Sequence, residues 1–329
     1  MHRSESLNKL MKVFILAFLC NEMHSSLTQS NAAEHPFNAY PSSINGSEAT
    51  LEHAQYQASI RLAIDDYMFG EGHICGGAVI APSVVLTVAH CVHNYQTQTS
   101  RHPAELKVVM GSLNRYQRDE HTLVYGVTHV HRPRSFNAHT LRDNIAIIML
   151  ERDIPSAHPT VKPITLSLTA LGEAKTHEML AEYAAKQHKY VVTSWLVTKE
   201  HIPYTQLMAL NATQVSDQQC AEKYGQIYGP DMVCVGYMGA EQQETACHQD
   251  AGAPLVENNQ LLALTAKQSV DCETCSEPAL FVDVSHHANW ILEKIGDGTN
   301  RNSSVWGTLF FLIFTIWTAR RTKYFKLWL

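Results

Sequence analysis

Short apolar runs alternate with turn-forming residues along most of the chain. Tyr56-Gln-Ala-Ser-Ile-Arg-Leu62, Leu106-Lys-Val-Val-Met110 and Tyr190-Val-Val-Thr-Ser-Trp-Leu196 are rich in β-branched and aromatic residues. Such runs predict short strands. One insert breaks the pattern: Leu171 to Gln187 is rich in Ala and Glu and predicts a helix. Two longer apolar runs lie towards the ends. Val13 to Cys20 follows Lys9 and Lys12, which predicts a secretory signal cleaved between Cys20 and Ala33. Val305 to Ala319 is uncharged and is followed by Arg320-Arg321-Thr-Lys323.

As a helix, Val305 to Ala319 would be about 22 Å long, shorter than the roughly 30 Å hydrocarbon core of a bilayer. Trp306 and Trp317 at the interfaces, with snorkelling of Arg320 and Lys323, would make up the difference. A single-pass membrane anchor with a cytoplasmic tail is therefore expected. A lipid-anchor signal with Ser303 and Ser304 as its small residues is the competing reading, although the terminal basic residues argue against it. A tail folded onto the domain is the third.

Composition narrows the picture. With 45% apolar and 17% charged residues among 329, the chain is globular. Its net charge of −6 and lack of a basic stripe make nucleic acid an unexpected partner. The 19 histidines are scattered and match no metal-binding spacing, so no metal and no cofactor are expected. Cysteines in an exported chain fit an oxidising compartment. Asn45-Gly-Ser47, Asn211-Ala-Thr213 and Asn302-Ser-Ser304 are glycosylation sequons. No internal repeat is visible.

The most specific stretch is Cys247-His-Gln-Asp250-Ala251-Gly252-Ala253-Pro254-Leu-Val256. It resembles the nucleophile segment of chymotrypsin-like (S1) serine proteases, Cys-x-Gly-Asp-Ser-Gly-Gly-Pro-Leu-Val. Collinear matches extend the resemblance from Ile44 to Ile295: Ile44-Asn-Gly-Ser, Cys75-Gly-Gly through Ala89-His90-Cys91, Asn144-Ile-Ala-Ile, Asp231-Met-Val-Cys234, Pro278 to Val284, and a terminal helix from His286 to Ile295.

The resemblance implies two six-stranded antiparallel β-barrels and a C-terminal helix. With the end segments read from hydropathy, the expected order is signal region 1–33, short pro-like segment 34–43, protease-like domain 44–296, polar linker 297–304, apolar segment 305–319 and basic tail 320–329. The implied disulfides are Cys75–Cys91, Cys220–Cys234 and Cys247–Cys272, which leaves Cys275 without an assigned partner in the mature chain.

The resemblance also shows where this chain departs from a working protease. His90 stands at the general-base position. Ala251 stands where the family has its nucleophilic serine, and a methyl group cannot attack a carbonyl. Asn144 stands at the carboxylate position, with Asp143 as the alternative; strand alternation aims Asp143 the other way.

The oxyanion donors would be the backbone N–H groups of Gln249 and Ala251. The glycine expected at 249 is missing. Thr245, Lys267 and Ser269 stand at the specificity-pocket positions, with no buried carboxylate for a basic substrate. No basic residue precedes Ile44, so a trypsin-like activating cut is not expected.

The implied function is an exported, catalytically inactive protease homologue that binds extracellular proteins, such as an active protease or an inhibitor. Alternatives are a hydrolase using Thr245, Ser269 or an activated water, and a membrane-anchored adhesion or receptor-like protein.

Overall fold

The chain is described by a computed structural model over residues 46–167, 190–195, 203–237, 250–267 and 278–299. The signal region, the 171–187 insert, Thr245, Gln249, Ser269, Cys275, the Cys247–Cys272 pair, Asn45, Asn302 and the apolar 305–319 run lie outside the described residues. Among the described residues no helix is long and apolar enough to cross a membrane.

Six strands form the first barrel: β1 (Gln57–Leu62), β2 (His73–Ala81), β3 (Val84–Thr87), β4 (Leu106–Met110), β5 (Leu123–His131) and β6 (Ala146–Leu150). They close into an antiparallel barrel in the order β1-β2-β3-β6-β5-β4. Six more form the second: β7 (Tyr190–Ser194), β8 (Met208–Gln214), β9 (Met232–Tyr237), β10 (Pro254–Glu257), β11 (Gln260–Lys267) and β12 (Ala279–Asp283). Their order is β8-β7-β10-β11-β12-β9, and pairing of β8 with β9 closes the ring. Read around each ring, the connectivity is the same in both barrels. The repeat lies in topology, since closure removes sheet edges whatever the side chains.

Burial along β1 explains how the barrels meet. Ala58 and Ile60 are fully buried in the first barrel's core, beside Leu86, Ile147 and Ile148. The alternate residues Gln57, Ser59 and Arg61 are polar, yet each is at most 2% exposed. Successive side chains on a strand face opposite ways, so β1 turns a polar face towards the second barrel. Thr193 Oγ1, on β7, donates to Gln57 Oε1 at 2.7 Å across this seam. Buried polar groups persist only with such partners.

Helix α1 (Asp217–Tyr224) starts where Ser216 Oγ accepts from the Gln219 N–H at 3.3 Å, while Gln219 Oε1 accepts from the Ser216 N–H at 3.4 Å. Its buried Cys220 and Tyr224 pack on Met232, Cys234 and Leu280. Disulfides join Cys220 to Cys234 and Cys75 to Cys91, with Cα–Cα distances of 5.8 and 6.1 Å. Helix α2 (Ala288–Thr299) buries Ile291 fully. It begins two residues later than the sequence suggests. Asp283 Oδ1 accepts from the Ser285 N–H and Oγ at 2.8 and 2.7 Å, which holds the preceding residues in a turn.

Candidate functional site

The site lies where the two barrels face each other. A short 3₁₀ turn after β3, Ala89–Val92, carries His90. The residue just before Ile145, at the approach to β6, is Asn144, which is fully buried. The His90 backbone N–H donates to Asn144 Oδ1 at 3.0 Å. That contact assigns the amide oxygen and leaves Asn144 Nδ2 2.9 Å from His90 Nδ1; Oδ1 is 3.2 Å from the same ring nitrogen. An amide N–H donated to Nδ1 places the ring proton on Nε2. A general base needs the reverse, a free lone pair on Nε2 for the nucleophile's proton.

Burial pushes the His90 imidazole below its ordinary titration range. With no carboxylate against Nδ1, the ring is neutral at pH 7. We expect Asn144→Asp to raise the His90 pKa by about one to three pH units, as followed by NMR of the ring protons. An unchanged titration would show that residue 144 does not control His90.

Asp143 points elsewhere. Its backbone is in the left-handed region at φ 51°. Its N–H donates to Asp231 Oδ2 at 2.9 Å, and its carboxylate gathers with Asp231 and His287. Asn144 is therefore the neighbour of His90, and Asp143 faces a separate cluster.

Ala251 sits in the turn before β10, half-buried. Its carbonyl oxygen accepts from the Gly76 N–H at 2.9 Å and lies 3.8 Å from Cys91 Sγ, so the turn is held against the segment carrying His90. Gly252 must be glycine: its φ is +80°, and a Cβ there would come within 2.4 Å of the Gly76 carbonyl oxygen. The buried Ala253 methyl is accommodated. Lys267 ends β11, half-buried and paired with Leu280. Asn211 is exposed on β8.

Asp250 is the residue whose surroundings the sequence does not reveal. Its carboxylate, 7% exposed, lies 2.9 Å from His73 Nε2 and accepts from the Trp195 N–H at 2.9 Å. Ser194 Oγ accepts from the Asp250 N–H at 2.8 Å. The His73 ring packs edge-on against Trp195.

The donors run in one direction from β1. Arg61 Nε donates to Ser59 Oγ at 2.8 Å, and Ser59 Oγ lies 2.8 Å from His73 Nδ1. The Ser59 oxygen is taken by Arg61, so its proton is free for His73 Nδ1, and His73 Nε2 lies 2.9 Å from the Asp250 carboxylate. Arg61 is itself fixed by Asp66 at 3.3 Å and by the Arg115 carbonyl at 2.9 Å. A continuous buried polar chain thus joins the Asp66 loop to the residue beside Ala251. The signal for it was polar residues at alternate positions of an otherwise apolar β1.

The described residues around His90 can orient and exclude water. None of His90, Asn144 and Ala251 offers a hydroxyl or thiol to attack a carbonyl.

Known proteins resemble this chain over the same region. Hypodermin-A of Hypoderma lineatum is 28% identical over 258 residues, covering 76% of this chain and 86% of its own length. Coagulation factor XII of Bos taurus is 27% identical over 239 residues, 69% of this chain. The chain spans only 36% of that factor's length. The solved structure of neuropsin, a serine protease expressed in the limbic system of mouse brain, superposes with a TM-score of 0.61 at 20% identity, over 77% of this chain and 99% of neuropsin. That likeness is one of fold. A family model described as Trypsin matches residues 43–291. With two matching barrels around a histidine-bearing turn, the chain belongs to the trypsin family.

Proposed function

We propose that this chain is a non-catalytic member of its family, acting outside the cell by binding other proteins. The observation that carries this reading is Ala251, which places a methyl group where the family's mechanism needs a hydroxyl. Two features support it. Asn144 beside His90 favours the ring tautomer that cannot take a proton from a nucleophile. Asp250, the residue that in active relatives receives the freed N-terminal amine, is occupied instead by His73 and the Trp195 N–H.

The rigid double barrel then serves as a platform. The cleft between the barrels would take an extended polypeptide segment of a protease, an inhibitor or another exported protein without cutting it. Export by the Val13–Cys20 run and retention by the Val305–Ala319 run complete the proposal, with glycans on the sequon asparagines.

A fluorophosphonate probe, which reacts with activated serine or threonine hydroxyls, tests the chemistry. We expect no labelling of the purified protein at pH 7.5, while a trypsin control labels fully. Labelling that maps to Thr245 or Ser269 and is blocked by His90→Ala would replace this reading with that of an active hydrolase.

A further inference from the structure

The cluster behind the His90 site has the composition and geometry of a cation site. Asp143 comes from the turn ahead of β6, Asp231 directly precedes β9, and His287 lies in the turn between β12 and α2. Among the described residues, these three are the group of His, Cys, Asp and Glu side chains that could hold a metal ion, with one ligand atom from each lying within 4.8 Å of the others. The first barrel supplies one and the second supplies two.

Two further observations point to a ligand at this cluster. Asp231 Oδ1 and His287 Nε2 are buried atoms without a hydrogen-bond partner, on side chains 3% and 5% exposed. His287 Nε2 is 3.7 Å from Asp231 Oδ2. That is too long for an N–H···O bond, which is made at about 2.7–3.2 Å. It is close to the roughly 3.4 Å that separates two ligand atoms around a tetrahedral zinc ion with bonds near 2.1 Å. Space is left beside Asp231 Oδ1 because residue 229 is glycine; a Cβ there would sit 2.9 Å from that oxygen. Two carboxylates, one almost wholly buried, are also costly to hold together without a cation.

We propose that Asp143, Asp231 and His287 bind a divalent transition-metal ion, of which zinc is the best fit. Two carboxylate oxygens and one imidazole nitrogen match its borderline character and its coordination by three protein ligands. The partly exposed Asp143 side leaves the fourth position to water. The ion would clip the first barrel to the second. Because Asp143 adjoins Asn144, it would also fix the backbone that presents Asn144 to His90.

Isothermal titration of zinc into the full chain, stripped with EDTA and dialysed, tests this. We expect one ion per chain and a Tm raised by several degrees in its presence. Asp143→Asn and His287→Leu should each weaken binding at least a hundredfold. The double variant His129→Ala/His131→Ala, at a stacked pair of rings on β5, should leave it unchanged. Cobalt(II) in place of zinc should give a visible spectrum that the His287→Leu variant lacks. Failure of the stripped chain to bind zinc at micromolar concentration would overturn the proposal. So would binding that survives both ligand variants, or binding that disappears in the His129/His131 variant.

Discussion

Restoring the missing hydroxyl alone, by Ala251→Ser, should leave the protein without measurable peptidase turnover. The new serine would adjoin a histidine whose Nδ1 receives an amide N–H from Asn144, 2.9 Å away. In a working triad, replacing the carboxylate by its amide lowers the rate by roughly 10⁴-fold through the wrong tautomer. Asp250 would remain held by His73, 2.9 Å from its carboxylate, and Ser43 before Ile44 offers no basic residue for a trypsin-like cut. Losses in a unit of this kind are strongly non-additive, so one repaired member regains little.

We therefore expect Ala251→Ser to stay within background on a fluorogenic peptide library. Ala251→Ser combined with Asn144→Asp and Gln249→Gly, with a basic residue at Ser43 and Ile-Val-Gly-Gly at 44–47, should give turnover after trypsin treatment. Turnover by the single variant would show that Asn144 and the His73–Asp250 contact do not restrain the site.

The second large effect is on stability. His73→Ala should destabilise the fold by about 1–3 kcal/mol, the usual penalty for leaving a buried hydrogen-bonding group without its partner. For a domain of this size that lowers the Tm by about 2–12 °C. The loss exceeds that of one contact because both ends of the polar chain are exposed to it. Asp250 keeps a buried charge, and Ser59 loses the acceptor that Arg61 Nε sets up. Urea unfolding of His73→Ala against the surface change His129→Ala separates the two cases; equal midpoints would mean that the chain from Arg61 to Asp250 contributes nothing to stability.

Much of the architecture was legible because the evidence for it is local. Ala89-His90-Cys91, Asn144-Ile-Ala and Asp250-Ala251-Gly252 each carry their information within a few residues, and the strands around them follow from short β-branched runs bounded by turns. The pairing of Cys75 with Cys91 and of Cys220 with Cys234 came with the family pattern. The sequence also separated Asn144 from Asp143, but by strand alternation; in the structure the left-handed backbone at Asp143, φ 51°, turns its side chain away from His90.

What was not legible depends on distance in sequence. Ser59, His73 and Asp250 lie on separate strands and turns and meet only when the barrels close. In the sequence, the polar side of β1 looks like a solvent face, and it proves to be the seam between barrels. Asp143, Asp231 and His287 match no spacing motif for the same reason. The identical order of strands in the two barrels leaves no trace in side-chain identity, because the backbone ladder alone carries it.

The most direct test of the central claim is hydrolysis by the unaltered protein. The purified full chain and its His90→Ala variant are assayed side by side on peptide, ester and thioester substrates, before and after limited trypsin treatment. The account predicts the same background rate from both proteins, at every pH from 5 to 9. Turnover by the unaltered chain that disappears in His90→Ala would contradict it and establish a working enzyme.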